Sequence, residues 1–184
     1  MDLPFERPEE WTRVSLVGGS VVLSLYALFL LYALRDTSGF LFLDNANLMI
    51  HEAGHLAFSW GERTLMILGG TLGELIFPLL CGCYFLFHRQ TYGLAFCLFW
   101  FFENFLYIGT YMADARMCAL PLINSETGDW TILFGQWNLL LYDVKIGHLT
   151  RAAGWLGMLT VVGWLGYRMY SDARPQEKLR PLTM

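Results

Sequence analysis

Apolar residues run along this chain in four long stretches, 13–34, 65–87, 92–114 and 152–170. Each comes close to the roughly 20 residues that a helix needs to cross a bilayer. Two shorter segments, 46–60 and 130–142, are also apolar but carry polar residues. The pattern predicts an all-α fold: a polytopic integral membrane helical bundle of about five to six transmembrane helices. Segment 130–142 could cross, re-enter or lie at the interface. Short loops at 35–39, 61–63 and 88–91 leave no room for a second unit, so 1–184 reads as one transmembrane domain. The longer loop 115–128 holds Pro121 and the turn-prone run Asn124-Ser125-Glu126-Thr127-Gly128. The charged tail 171–184, with Pro175 and Pro181, reads as flexible.

Composition narrows the class. Only 15% of the 184 residues are charged while 55% are hydrophobic, and mean hydropathy is +0.43. Soluble domains carry about 25% charged residues, so an ordinary cytosolic enzyme or a disordered tail is excluded. The net charge of −4 provides no basic footprint for nucleic acid. Asp2, Glu6, Glu9 and Glu10 beside Arg7 and Arg13 argue against a cleavable signal peptide, whose start would be basic. Cys81, Cys83, Cys97 and Cys118 form no Cys-x-x-Cys pair, and Cys81 and Cys83, two apart inside a predicted span, read as small packing residues. If six segments cross, the termini share a side with Arg63 and Arg116, opposite Arg35, Arg89, Lys145 and Arg151. That bias places both termini in the cytoplasm.

The chemistry lies in 46–60, which contains His51-Glu52-Ala53-Gly54-His55. Helix residues four apart share a face. His51 and His55 can therefore point imidazole nitrogens at one Zn²⁺ ion, with Glu52 alongside as general base. Three ionisable groups within five residues of an apolar segment are costly and point to function. The alternative is that they merely hydrogen-bond to neighbouring helices.

A third ligand is needed. His88 and His148 flank Arg89 and Lys145 near span ends and read as interfacial residues. On the helix from Tyr92, a polar arc of about 100° holds Glu103, Asn104, Tyr107, Tyr111 and Asp114. Such a stripe should face the bundle interior and line a small wet cavity. Asp114 ranks first as third ligand. Asp129, which opens the short segment, is the rival, with an N-cap role as its simpler use. Glu74, in mid-span, is third. Glu103 and Asn104 could bind substrate or support the site from behind, or simply join helices. Gly69, Gly70 and Gly73 fit close helix approach.

The His51–His55 motif within a membrane segment resembles the site-two protease class of intramembrane zinc metalloproteases. That resemblance implies zinc held by His51, His55 and an aspartate from a later helix, with Glu52 as catalytic acid/base. It also implies an endopeptidase acting on peptide bonds of membrane proteins, and hence a membrane protein or peptide as partner. The family's aspartate precedes a glycine; here Asp114 precedes Ala115 and Asp129 precedes Trp130. Two other readings compete. One is a non-proteolytic membrane metal-binding or scaffold protein that retains the motif. The other is a di-iron lipid oxidase, which would need more histidines than the four present.

Overall fold

The computed structural model describes residues 8–121 and 127–174. Among them the chain is helical and contains no strand. In order come α1 (Leu16–Arg35), α2 (Asp44–Ala57), α3 (Arg63–Phe87), α4 (Thr91–Ala113), α5 (Asp129–Gln136), a 3-10 turn (Leu140–Tyr142) and α6 (Asp143–Ala173). Helices α1, α3 and α4 are long and apolar enough to cross a membrane. The outer face of α1 shows why apolar surroundings suit it: Leu16, Val21, Leu25, Leu28 and Leu31 are all exposed.

The expected six-segment layout changes in three places. The run 152–170 lies inside α6, where repeated glycines and Arg168 dilute its apolar character, and α6 is not one of the three spanning candidates. Segment 130–142 forms no spanning helix. Its helical part, α5, has only 8 residues, about 12 Å. The chain then turns through Asn138, at φ 57°, into the 3-10 turn. Helix α2, with 14 residues, reaches about 21 Å and is also shorter than a bilayer's roughly 30 Å core. Of the tail, residues 171–173 continue α6, while 175–184 lie outside the described residues, as do 122–126 of the turn-prone loop.

The partners of α2 show its course. After α1 the chain packs Phe40 against Tyr107. It then dips along α4 until Asn47 meets Glu103 and Trp100. From that depth α2 returns: His51 faces Tyr111 near the end of α4, and His55 reaches Met66 at the start of α3. The segment is thus a descending loop followed by a returning helix.

Glycine lets the bundle close. A methyl on Gly147 would stand 2.3 Å from the Gly109 carbonyl oxygen, so α4 and α6 approach backbone to backbone. Beside that contact, Tyr26, Phe99, Met158, Val161 and Leu165 form a buried core joining α1, α4 and α6. A second core of Ile67, Ile108, Trp130, Leu133 and Phe134 seats α5 against α3 and α4. The cysteines Cys81, Cys83, Cys97 and Cys118 are free.

The two ends of the bundle differ from the expected sides. Thr12 N–H donates to the Arg89 carbonyl at 2.9 Å, and Val14 N–H to Asp172 Oδ2 at 2.9 Å. The start of α1, the α3–α4 turn and the end of α6 therefore share one end. Arg63 and Arg116 lie at the opposite end, where α3 begins and α4 stops. The sequence bias for cytoplasmic termini had counted them with the termini and Arg89 against them. The structure places Arg89 with the described start of the chain and the end of α6, and Arg63 and Arg116 away from them, because α2 and α5 are too short to run the length of the bundle.

At that opposite end, Arg116 closes on the first residue of α6. Its Nη2 lies 2.8 Å from Asp143 Oδ1, and its Nε donates to Oδ2 at 2.8 Å. The Arg116 guanidinium, aided by the Val144 amide, holds the Asp143 carboxyl below the ordinary aspartate value of 3.8. A carboxylate lowered in the folded state stabilises fully above its unfolded value and loses that contribution as pH falls through the folded one. Asp143→Asn should therefore lower the thermal midpoint in detergent at pH 7, and the gap to wild type should narrow as pH falls below the ordinary aspartate value of 3.8. A gap that does not narrow on acidification would show that the pair contributes nothing through ionisation.

Candidate metal centre

Helix α2 sits against α3 with almost no side chain between them. A methyl on Gly54 would lie 2.2 Å from the Gly69 carbonyl oxygen, and one on Gly70 would lie 2.4 Å from His51 Nε2. The glycines of α3 thus create the space into which the His51 ring is laid, 4% exposed. One turn on, His55 follows on the same face, with its ring centroid 4.7 Å from that of His51.

Both rings turn Nε2 toward one oxygen. His51 Nε2 lies 2.9 Å and His55 Nε2 3.2 Å from Asp129 Oδ2. These three side chains form the one group of His, Cys, Asp or Glu among the described residues whose donor atoms converge closely enough to hold a metal, all within 4.8 Å. Tetrahedral zinc with bonds of about 2.0–2.2 Å needs ligand atoms roughly 3.3 Å apart. The two distances to Asp129 Oδ2 need only a few tenths of an ångström of opening. The far nitrogens are also held. His55 Nδ1 lies 2.9 Å from the Met66 carbonyl oxygen, to which it donates, so Nε2 is the nitrogen left to take an ion. Glu74 Oε1 approaches His51 Nδ1 obliquely at 3.2 Å. A carbonyl or carboxylate behind each imidazole is the usual support of a metal-bound histidine. On donor set and spacing the residues fit a zinc ion.

Asp129 reaches the histidines because α5 begins there. It is the first residue after the N-cap Gly128, where a carboxylate also suits the helix dipole. Its backbone N–H donates to the Tyr111 hydroxyl at 2.8 Å, and Thr131 Oγ1 donates to the Ala115 carbonyl at 2.6 Å. Together these tie the start of α5 to the end of α4.

The first-ranked ligand, Asp114, is elsewhere. Helix α4 stops at Ala113 and Asp114 caps it. Its two oxygens accept from Ala119 N–H and Leu120 N–H at 3.0 and 2.9 Å. The polar arc had been extended one residue beyond the real helix, and the cap turns that carboxylate into the following loop. Glu74 is not positioned as a ligand alongside the Nε2 atoms; it stands behind His51. Glu103 and Asn104 do not line the cavity at the histidines. Glu103 accepts from Asn47 Nδ2 at 3.1 Å, and Asn104 Nδ2 donates to the Glu74 carbonyl at 2.8 Å. They support α2 and α3 from behind. His88 bonds within its own helix end to Tyr84, and His148 is exposed.

Sequence reasoning missed Asp44 and Asn47. Both are buried, and Asn47 joins Asp44, Glu103 and the Trp100 indole in one network. A signal existed: residues 44, 47 and 51 recur at helical spacing on the face that carries His51.

In front of the histidines lies a cavity of about 750 Å³. Its walls include Phe40, Leu48, Ile67, Tyr107 and Pro121, and exposed Glu52 shares it with His51, His55 and Asp129. That volume lies in the range of sites that bury a ligand of several residues' size. No protein-family model, no curated protein and no solved structure matches this chain.

Proposed function

We propose that this chain is a zinc-dependent intramembrane endopeptidase resembling the site-two protease class, acting on a membrane protein or peptide. One observation carries the reading: two imidazole Nε2 atoms and one carboxylate converge beside a cavity that Glu52 also faces. A structural metal would need no free carboxylate on an open side. In this reading α1, α3 and α4 cross the bilayer together with α6, which is less apolar but runs beside α4 from the Gly147–Gly109 contact to Asp172 at the other end, while α2 and α5 re-enter from one end and build the site. The described basic residues are Arg13, Arg89, Arg168 and Arg174 at the terminal end, against Arg35, Arg63, Arg116, Lys145 and Arg151 at the other. That division gives no strong orientation.

When bound, zinc polarises the scissile carbonyl and makes water acidic enough to attack near neutral pH. His51, His55 and Asp129 would hold the ion, with the Met66 carbonyl fixing the His55 ring and Glu74 standing behind His51. Glu52 takes a proton from the attacking water as its oxygen bonds to the carbonyl carbon. The same carboxyl then passes that proton to the amide nitrogen as the C–N bond breaks. The apolar walls suit an apolar peptide segment.

The test is metal content and peptide cleavage by the purified full chain. Wild type should hold one zinc per chain and cleave membrane-derived peptides. Asp129→Ala should lose zinc affinity by more than the 10–100-fold typical of a missing supporting residue, whereas Asp114→Ala should keep it. Equal zinc affinity in Asp129→Ala would overturn the ligand assignment. A zinc-loaded wild type inert toward diverse peptides would favour a metal-binding scaffold.

A further inference from the structure

The cavity holds a hydroxyl that the ligand set and Glu52 leave unused. Tyr111 lies on the inner face of α4, with its ring centroid 6.2 Å from that of His51. Its oxygen accepts the Asp129 backbone N–H at 2.8 Å. Gly128 lets it come so close: a methyl there would stand 3.2 Å from the hydroxyl and the ring edge. A phenol has one O–H to donate besides its acceptor capacity. Accepting from Asp129 fixes the oxygen and leaves the hydrogen, for which the described residues show no acceptor.

Few other donors are available. No Lys or Arg stands among the described residues lining the cavity. The Ser38 hydroxyl is engaged with Asp36 and the Phe40 carbonyl. Tyr107, stacked one turn away at 6.3 Å, finds no partner among the described residues that fixes its hydroxyl. Tyr111 is the donor held by the same residue that supplies the carboxylate ligand.

We infer that Tyr111 is a catalytic residue: its O–H donates a hydrogen bond to the scissile carbonyl oxygen as negative charge gathers there. The inference rests on the peptidase reading above. As the water oxygen bonds to the carbonyl carbon, the C=O π pair moves onto oxygen. Tyr111 stabilises that charge and keeps its proton throughout. The proton that moves travels from water through Glu52 to the amide nitrogen, and the π pair returns as the C–N bond breaks. A fixed neutral donor in an apolar cavity needs no reorganisation at the moment of reaction, which is why such donors are worth about 10²–10³ in rate.

The test compares zinc-loaded wild type with Tyr111→Phe in the full chain. Phenylalanine should keep zinc affinity within about threefold and leave KM near wild type, while kcat falls about 10²-fold. A second readout needs no turnover. Affinity for a phosphinic peptide, which presents tetrahedral anionic oxygens, should fall by a similar factor, while affinity for the matching uncleaved peptide stays unchanged. Equal phosphinic-peptide affinity in both proteins overturns the inference. So does a Tyr111→Phe protein that loses zinc but regains full kcat at saturating metal, which would make Tyr111 a strut for Asp129. In either case peptide cleavage by wild type keeps the peptidase reading. A wild type that binds zinc yet neither cleaves peptides nor binds the phosphinic peptide removes both.

Discussion

Glu52→Gln should hold zinc as wild type does and lose about 10²–10⁴-fold in peptide hydrolysis. That range is the usual contribution of a positioned acid/base group. Glu52 follows His51 directly, so its side chain leaves α2 about 100° around from the ligand face. It is exposed on the cavity and does not belong to the converging trio. Glutamine keeps the length and shape of the side chain and removes only its ability to take a proton. The prediction therefore separates holding the ion from moving the proton. Zinc stoichiometry by elemental analysis and cleavage rate should part company in this variant. A Glu52→Gln enzyme with full zinc and an undiminished rate would remove Glu52 from the chemistry. One that lost its zinc would make Glu52 a ligand after all.

Gly54→Ala should be the most damaging single methyl in the protein. Its added carbon would lie 2.2 Å from the Gly69 carbonyl oxygen and 3.1 Å from Gly70 Cα, all of it backbone. No rotamer can relieve such a clash, so α2 must lift away from α3. The cost should reach or exceed about 3 kcal/mol, the upper part of the usual overpacking range. Because α3 also seats the His51 ring and the Met66 carbonyl, the same movement separates both imidazoles from Asp129. Zinc affinity should fall together with the thermal midpoint in detergent. Gly163→Ala is the matched control: a methyl there meets nothing within 4 Å, and alanine favours helix over glycine by about 0.5–1 kcal/mol. It should be neutral or slightly stabilising. A Gly54→Ala protein as stable and as zinc-avid as wild type would show that the α2–α3 contact is looser than described.

The histidine pair and Glu52 were legible because they depend on one helical turn, and local spacing is enough to align two side chains. Three of the long apolar runs were legible for a similar reason: length and composition decide whether a helix can cross a membrane. The glycines of 69–73 were recognised as a packing surface, but not that their contact is with the turn that carries His51 and Gly54. Asp114 misled because an arc on a helical wheel holds only while the helix lasts. The cap that ends α4 at Ala113 is set by the loop amides of Ala119 and Leu120. Asp44 and Asn47 share the His51 face, but what makes them matter is their partners on α4, Glu103 and Trp100, which helical spacing alone does not show.

By itself the amino-acid order determined an all-helical chain with apolar spanning-length segments, two imidazoles on one face, and an adjacent carboxylate. Only the tertiary structure decided that Asp129 meets those imidazoles and that Glu74 stands behind one of them. It alone showed that α2 and α5 dip into the bundle from the end opposite the termini. The reason is physical. A helix aligns its own residues through bonds four apart. Bringing residue 129 to residue 51 depends on where intervening helices stop, how closely glycine lets them approach, and which buried polar groups find partners across them.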